Sequence, residues 1–410
     1  MKAVKGCALA GCATFLALLV ALWLAWRAGD PLRKPLPPAP PLPVPNAFDD
    51  YKRAADLVYQ YKAARKDEDP ADNATVRRSV LGYNAEALKA LRAGFAHDYG
   101  LPQAESLIAE SPYFGHCSAL AKVLGYEAIE HEANGRYAAA IDSQLDAVRL
   151  GVDLERGAPY LDRELARSAQ ASGRARKFVE ARLAHLDAKA ATAAARRLEK
   201  IVAGETLPIE ALRVDRAVAP WVLRDMGRQA DAESKDPAGA AGAERVLRLG
   251  GPFLFALYDA RIDAMIAWTA TGEHGAKPST PSPYPKLAPA GDLVGGVISA
   301  EVDRQWIDHA ANAMFLAAVA LQAWHAQHGH WPDKLDALVP DILAAVPQDP
   351  FDGAPLRYRR EGDKYVLYSV GPGQTDHGGT AAQQLYGGAP GQVFYEPGPA
   401  GDCVWGVTQM

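Results

Sequence analysis

Hydrophobic and polar positions along this chain fall into three regimes. Gly6 to Trp26 carries no charge at all. From Ala47 to about Thr271, apolar residues recur at three- and four-residue spacing, and no period-two alternation is long enough for a sheet. That pattern predicts a helical body. Its helices are expected at Ala47–Arg65, Ala85–Tyr99, Cys117–Asn134, Tyr137–Leu154, Pro159–Leu186, Ala188–Ala203, Ile209–Ala219 and Phe253–Thr271. Asp231 to Gly242 is small and polar and reads as a loop. Beyond about Glu301, one more helical run gives way to short alternating stretches.

That last run, Trp306 to Gln327, is rich in Ala and Leu, both strong helix formers. Trp306, Ala310, Ala313, Ala317, Leu321 and Trp324 fall on one face of it. Gly329 suits the position just past the helix, and Pro332 cannot continue it. Asp333 is placed to cap a short second helix, with Leu335, Leu338 and Val339 facing inward. Arg357–Arg360 and Tyr365–Val370 read as strands joined by a Glu361-Gly362-Asp363 turn, with further strands at Val393–Tyr395 and Val404–Val407. A helix laid on a small antiparallel sheet buries both apolar faces, which is the α+β solution.

The uncharged N-terminal run is 21 residues long. At ~1.5 Å per residue it spans roughly 31 Å, the thickness of a bilayer's hydrocarbon core. Trp23 and Trp26 stand at one end, where indoles favour the interface. Ala25-Trp26-Arg27-Ala28 is a poor cleavage site, so an uncleaved signal anchor is expected over a removed signal peptide. Leu9-Ala10-Gly11-Cys12 matches a lipoprotein lipobox, but the apolar region follows the Cys instead of preceding it. Lys2 and Lys5 on one side nearly balance Arg27, Arg33 and Lys34 on the other, so charge does not set the orientation. Short N-terminal tails usually stay inside, which places the protein in the inner membrane as a single-pass chain with its body extracytoplasmic. Pro31 to Pro45 holds eight prolines. It reads as a polyproline II spacer of roughly 45 Å, or as a ligand for a proline-reading domain.

The C-terminal order A-W-H-A-Q-H-G-H-W-P-D, then Q-D-P-F-D-G-A-P-L-R-Y, then Y-V-L-Y-S-V-G, closely resembles the globular end of type II secretion major pseudopilins. In that family a long helix ends in a G-x-W-P or G-x-Y-P turn, followed by a D-P-F loop, a hairpin and an S-V-G or S-L-G loop. The resemblance implies an extracytoplasmic α+β module. The family's calcium loop uses acidic side chains after the S-V-G element. Here Pro372-Gly373-Gln374 stands there, and Asp376 is the one nearby carboxylate. An ion that wants six to eight oxygens gains little from it. The anchor also lies far upstream of the globular helix, unlike a pseudopilin's.

Within the body, Ala128, Gly135, Tyr137, Ala140 and Ala147 stand at the offsets of a tetratricopeptide-like helix pair, small residues allowing close approach and Tyr filling the gap. An array needs about three repeats, and no second clear copy follows, so one helical hairpin in an irregular bundle is the expectation over a solenoid. The body loosely resembles uncharacterised helical envelope proteins of bacteria. Ala276 to Gly296 is rich in Pro, Ser and Gly and reads as a boundary. The expected layout is therefore 1–26 tail and transmembrane anchor, 27–46 linker, 47–275 helical body, 276–298 linker and 299–410 pseudopilin-like module and tail. The fold class is mainly α.

Candidate chemistry is sparse. His325, His328 and His330, with Asp376 and His377, are the one candidate metal set, weighed against histidines simply favoured at a helix C-terminus. Glu127, Glu130, His131 and Glu132 lack the second His of an H-E-x-x-H motif and read as a solvated face. No nucleophile elbow or Walker loop occurs, no cofactor is implied, and a net charge of −5 argues against nucleic acid. Cys117 and Cys403 could pair in an oxidising compartment. The expected partners are the bilayer and other proteins, in a scaffold or interaction role linked to secretion or pilus-like machinery. The rival is an envelope enzyme with its site in a cleft of the body. Converging carboxylates or histidines in a concavity would favour the enzyme; an extended groove of aromatic and small residues would favour the binder.

Overall fold

The computed structural model describes residues 41–63, 65–102, 112–174, 176–218, 259, 262–268, 288–381 and 401–405. The anchor, most of its spacer, the Asp231–Gly242 loop and the Val393–Tyr395 strand lie outside the described residues. Among the described residues no helix is long and apolar enough to cross a membrane. What is described is mainly helical, with one small three-stranded sheet.

Asn46 opens helix α1 (Ala47–Leu57), its side chain accepting from the Phe48 N–H. The helix stops well short of Arg65, and the cause lies elsewhere in the chain. Buried Asn84 accepts from the Tyr59 N–H at 2.8 Å and donates to Tyr59 O at 3.1 Å, holding that stretch extended. Asn84 also separates α2 (Ala74–Tyr83) from α3 (Ala85–Gly94). Helix α2 has no counterpart in the periodicity; Asn73 caps it through the N–H groups of Thr75 and Val76.

Helices α4 (Pro112–Ala133) and α5 (Tyr137–Glu155) form the expected hairpin, turning at Gly135, whose φ of +70° suits glycine. Ala128, Ala140 and Ala147 are buried as small contact positions. Tyr137 does not fill the gap inside the pair. Its ring stacks on His185, 4.0 Å away, in the following layer. Helix α5 is enclosed on nearly every side. Leu150 and Leu154 enter a cluster with Tyr51, Leu91, Leu120 and Leu124, while Ile141, Leu145, Val148 and Val152 enter a second, larger cluster.

The Pro159–Leu186 run forms two helices, α6 (Tyr160–Arg174) and α7 (Arg176–Leu183). Glycines bring α5 and α6 together. A methyl on Gly151 would lie 2.6 Å from Ala166 O, and one on Gly173 would lie 2.5 Å from Gln144 O. Helix α8 (Ala188–Val202) follows, capped by Asp187, and a helical segment covers 208–218.

Helix α9 runs from Ala288 to His328 and so begins inside the stretch expected to be a linker. From His309 to Leu321 it is buried at every position, and the single apolar face read from the pattern understates it. It packs against α8 as well as against the C-terminal elements. Gly329, at φ +76°, ends it as expected. Leu335–Leu338 is one turn of 3₁₀ helix, not α. Asp333 does not cap it, since its carboxylate takes Arg360 at 3.2 Å. Strands β1 (Arg357–Glu361) and β2 (Lys364–Ser369) pair antiparallel from Glu361↔Lys364, turning at Gly362. Strand β3 (Cys403–Val404) adds to β2.

Asp349 explains why the D-P-F loop and the S-V-G element occur together. Its buried carboxylate accepts from Phe351 N (3.0 Å), Ser369 Oγ (2.9 Å) and Val370 N (2.8 Å). The large cluster then runs without a break from α5 and α8 through Met314, Phe315 and Leu321 to Leu338, Phe351, Leu367 and Trp405. Body and C-terminal module share one core.

Candidate functional site

Two polar stripes meet where α6 crosses the middle of α9. On α6 they are Arg163, Arg167, Gln170 and Arg174; on α9 they are Gln305, Asp308, His309 and Asn312. Both sets recur at helical spacing, so each forms one row. All eight are buried or nearly so. Arg174 Nη1 donates to Asn312 Oδ1 at 2.7 Å and to Gln170 Oε1 at 3.2 Å, and Nη2 donates to Asp308 at 2.6 Å. Arg163 forms a two-pronged pair with Asp215 of the 208–218 helix and also donates to Ala158 O at 2.8 Å. Arg167 lies 3.6 Å from Asp308 and 3.0 Å from Glu164, which also takes Arg304. Gln305 Nε2 donates to Thr206 O at 2.7 Å.

Two further carboxyl groups enter this layer with few partners. Glu205 Oε1 accepts from Asn312 Nδ2, and Oε2 lies 4.0 Å from His309 Nδ1. Glu155 closes α5, is 1% exposed, and has no hydrogen bond at either carboxylate oxygen. Gln170 Nε2, Thr206 Oγ1 and His309 Nε2 are likewise buried and unpartnered. Burial raises the Glu155 carboxyl to about 8, with Asp308's charge adding to the effect. Burial raises Glu205 well above the usual range, and Glu155's charge contributes. Burial, with Arg174 beside it, lowers His309 to about 4, so its ring is neutral.

A cavity of about 410 Å³ opens against this layer. Glu155, Gly157, Gly204, Glu205, Thr206 and Arg213 are among the residues of its wall. It is a concavity with converging carboxylates, set in the helical body. No family model matches the chain, and neither the curated proteins nor the solved structures contain a match to it.

The residues singled out in the sequence lie elsewhere. His328 stacks on Trp324 (ring centroids 3.8 Å) with Nδ1 against Trp324 O, and His325 packs on Trp331 at 4.3 Å. His330 Nδ1 faces Trp331 O at 2.9 Å. His377 sits instead by Asp402, whose carboxylate accepts from the His377 and Gly379 N–H groups. Asp376 is taken by Tyr368 Oη at 3.0 Å and Gly378 N at 2.8 Å. Among the described residues no group of three or more His, Cys, Asp or Glu is placed to hold a metal ion. The α4 cluster is not a solvated face. Glu127 pairs with Arg92 and Ser143, Glu130 with Arg77, and Glu132 with Arg182. A second cavity, about 310 Å³, lies over Arg92, Glu127, His131 and Arg136. Cys117 and Cys403 are both free and buried, in different clusters.

Glu155, Glu205, Asp308 and His309 were missed by motif reading because no motif contains them. The legible signal was a polar row inside an otherwise apolar helix, matched by an arginine row of equal spacing on α6.

Proposed function

We propose that this chain is a membrane-anchored envelope protein acting as a scaffold or interaction unit, associated with secretion or pilus-like machinery. On this reading Gly6–Trp26 is the anchor, and a tetratricopeptide-like body with a pseudopilin-like end is held outside the cytoplasm. The observation that carries it is the shared core. Helix α9 is enclosed from His309 to Leu321 by α8 on one side and the C-terminal elements on the other. A module so joined to the body presents a fixed surface, which suits a scaffold better than a tethered flexible end would. The test pairs fractionation with topology. The full chain should stay with membranes after an alkaline wash, and a C-terminal reporter active only outside the cytoplasm should give signal. Release into the wash, or signal only from a cytoplasmic reporter, contradicts the proposal.

One observation favours the rival, a ligand-processing role for the helical body. Glu155 and Glu205 converge on a cavity with buried polar atoms left unpartnered. Glu155 keeps its proton near neutrality and so can donate one, as a general acid must.

A further inference from the structure

The Glu155–Glu205 cavity contains its own indication of what it takes. Buried polar groups are ordinarily satisfied, and each exception calls for a reason. Here the exceptions cluster. Glu155 is 1% exposed with both oxygens unpartnered, and Thr206 is 5% exposed with Oγ1 unpartnered; both belong to the cavity wall. Glu205 is on the same wall, its side chain 11% open, with one oxygen held by Asn312 and the other free of any hydrogen bond among the described residues. The wall offers Glu155, Glu205, Thr206 and Glu210 as acceptors beside two guanidiniums, Arg156 and Arg213.

The guanidiniums of the polar layer are committed to partners, and Arg156 of the wall donates to Tyr99 O and Gly204 O. Arg163 is held by Asp215 and Ala158 O, Arg174 by Asp308, Asn312 and Gln170, and Arg167 and Arg304 share Glu164. His309, from α9, is neutral. Glu155, buried with no hydrogen bond at either oxygen, is held in its neutral form beside Glu205. Its ionisation without a new cation would bury an unbalanced charge.

We propose that this cavity binds a primary ammonium group, held by Glu205, Thr206 and Glu155, and that the incoming cation displaces a proton from the two glutamates. Three N–H donors on one compact charge match three acceptors on one wall. The exchange balances: one cation enters, one proton leaves to solvent, and no covalent bond to the ligand changes. The raised Glu155 and Glu205 carboxyls agree with a retained proton, and they make binding tighten as pH rises toward about 8. This inference does not depend on the membrane reading, since the purified chain in detergent tests it directly.

The experiment is titration calorimetry of the full chain with n-butylammonium chloride, in two buffers of different ionisation enthalpy at pH 7. The expected result is saturable binding with about one proton released per cation, at least about tenfold weaker for tetramethylammonium, which has the charge but no N–H donor. Glu205→Gln should weaken binding about tenfold or more. Thr206→Val, which removes one acceptor while keeping the side chain's shape, should weaken it several-fold and guards against misfolding of the first variant. Absence of saturable binding up to about 10 mM, equal binding of tetramethylammonium, or binding without proton release would overturn the proposal.

Discussion

Helix α9 passes through two interiors of opposite character. From Ala310 to Ala323 its neighbours are mainly Ala, Leu, Val, Phe and Trp, with Phe315 stacked on Trp405 at 5.9 Å. From Gln305 to Asn312 it also faces arginines, carboxylates and amides, some of them unpartnered. The apolar stretch is what burial of apolar surface builds unaided. The polar stretch works against that drive, because charges taken from water are costly even when paired. A fold needs only the apolar kind of interior. The polar kind lies beside a cavity and leaves buried polar atoms unpartnered, which is where the proposed ligand site would cost stability.

Mutations should separate the two interiors. Breaking a buried pair leaves a stranded charge, so Arg163→Met should destabilise strongly, by about 3–5 kcal/mol. Adding Asp215→Leu to it should recover much of that loss, and denaturant titration of the single and double variants checks both. In the apolar half, Phe315→Ala should also cost about 3–5 kcal/mol, through the cavity it leaves. Its cost should be independent of pH, whereas the polar half's should not be.

The pH dependence follows from two groups of opposite sign. Glu155 is raised from its ordinary 4.5 to about 8, so the folded chain keeps a proton that the unfolded chain releases. Its contribution is complete below about 4.5 and is lost as pH rises through about 8. His309 is lowered from 6.5 to about 4, so its contribution grows as pH rises from about 4 to 6.5. The two oppose each other below 6.5, and above it Glu155 acts in the same direction as Glu205, whose carboxyl burial also raises. Thermal melts should show stability falling between pH 6.5 and 8, and a rise over that window would contradict the assignment.

The smallest effect belongs to the histidines at the end of α9. His325→Ala and His328→Ala remove ring stacking at the surface and, for His328, one contact with Trp324 O, and each should cost under about 1 kcal/mol. A chelator should leave the melting temperature unchanged, because a metal that bound the native state would raise it. A drop of many degrees would restore these residues as a metal set.

Much of the apolar architecture was legible. The α4–α5 hairpin, α8, the end of α9 at Gly329 and the β1–β2 turn all follow from periodicity and turn chemistry. What the pattern misplaced depended on distant partners. Asn84 reaches back to Tyr59 and stops α1, Arg360 takes Asp333 away from its capping role, and β2 and α8 together bury faces of α9 that look solvated in isolation. The candidate site was illegible for a related reason. Glu155 and Glu205 are 50 positions apart and share no motif, and only the packing of the end of α5 against the turn after α8 and the 208–218 helix brings them to one cavity.

The central claim is that the polar layer is kept for something other than stability, and Glu155→Met tests it most directly. Methionine fills similar volume without a charge. If Glu155 is a site residue held in the core at a cost, the variant should melt at the same or a higher temperature than the parent at pH 8, and the fall between pH 6.5 and 8 should flatten. A loss of several kcal/mol at pH 8 would show that the carboxylate holds the fold together, and would contradict the account.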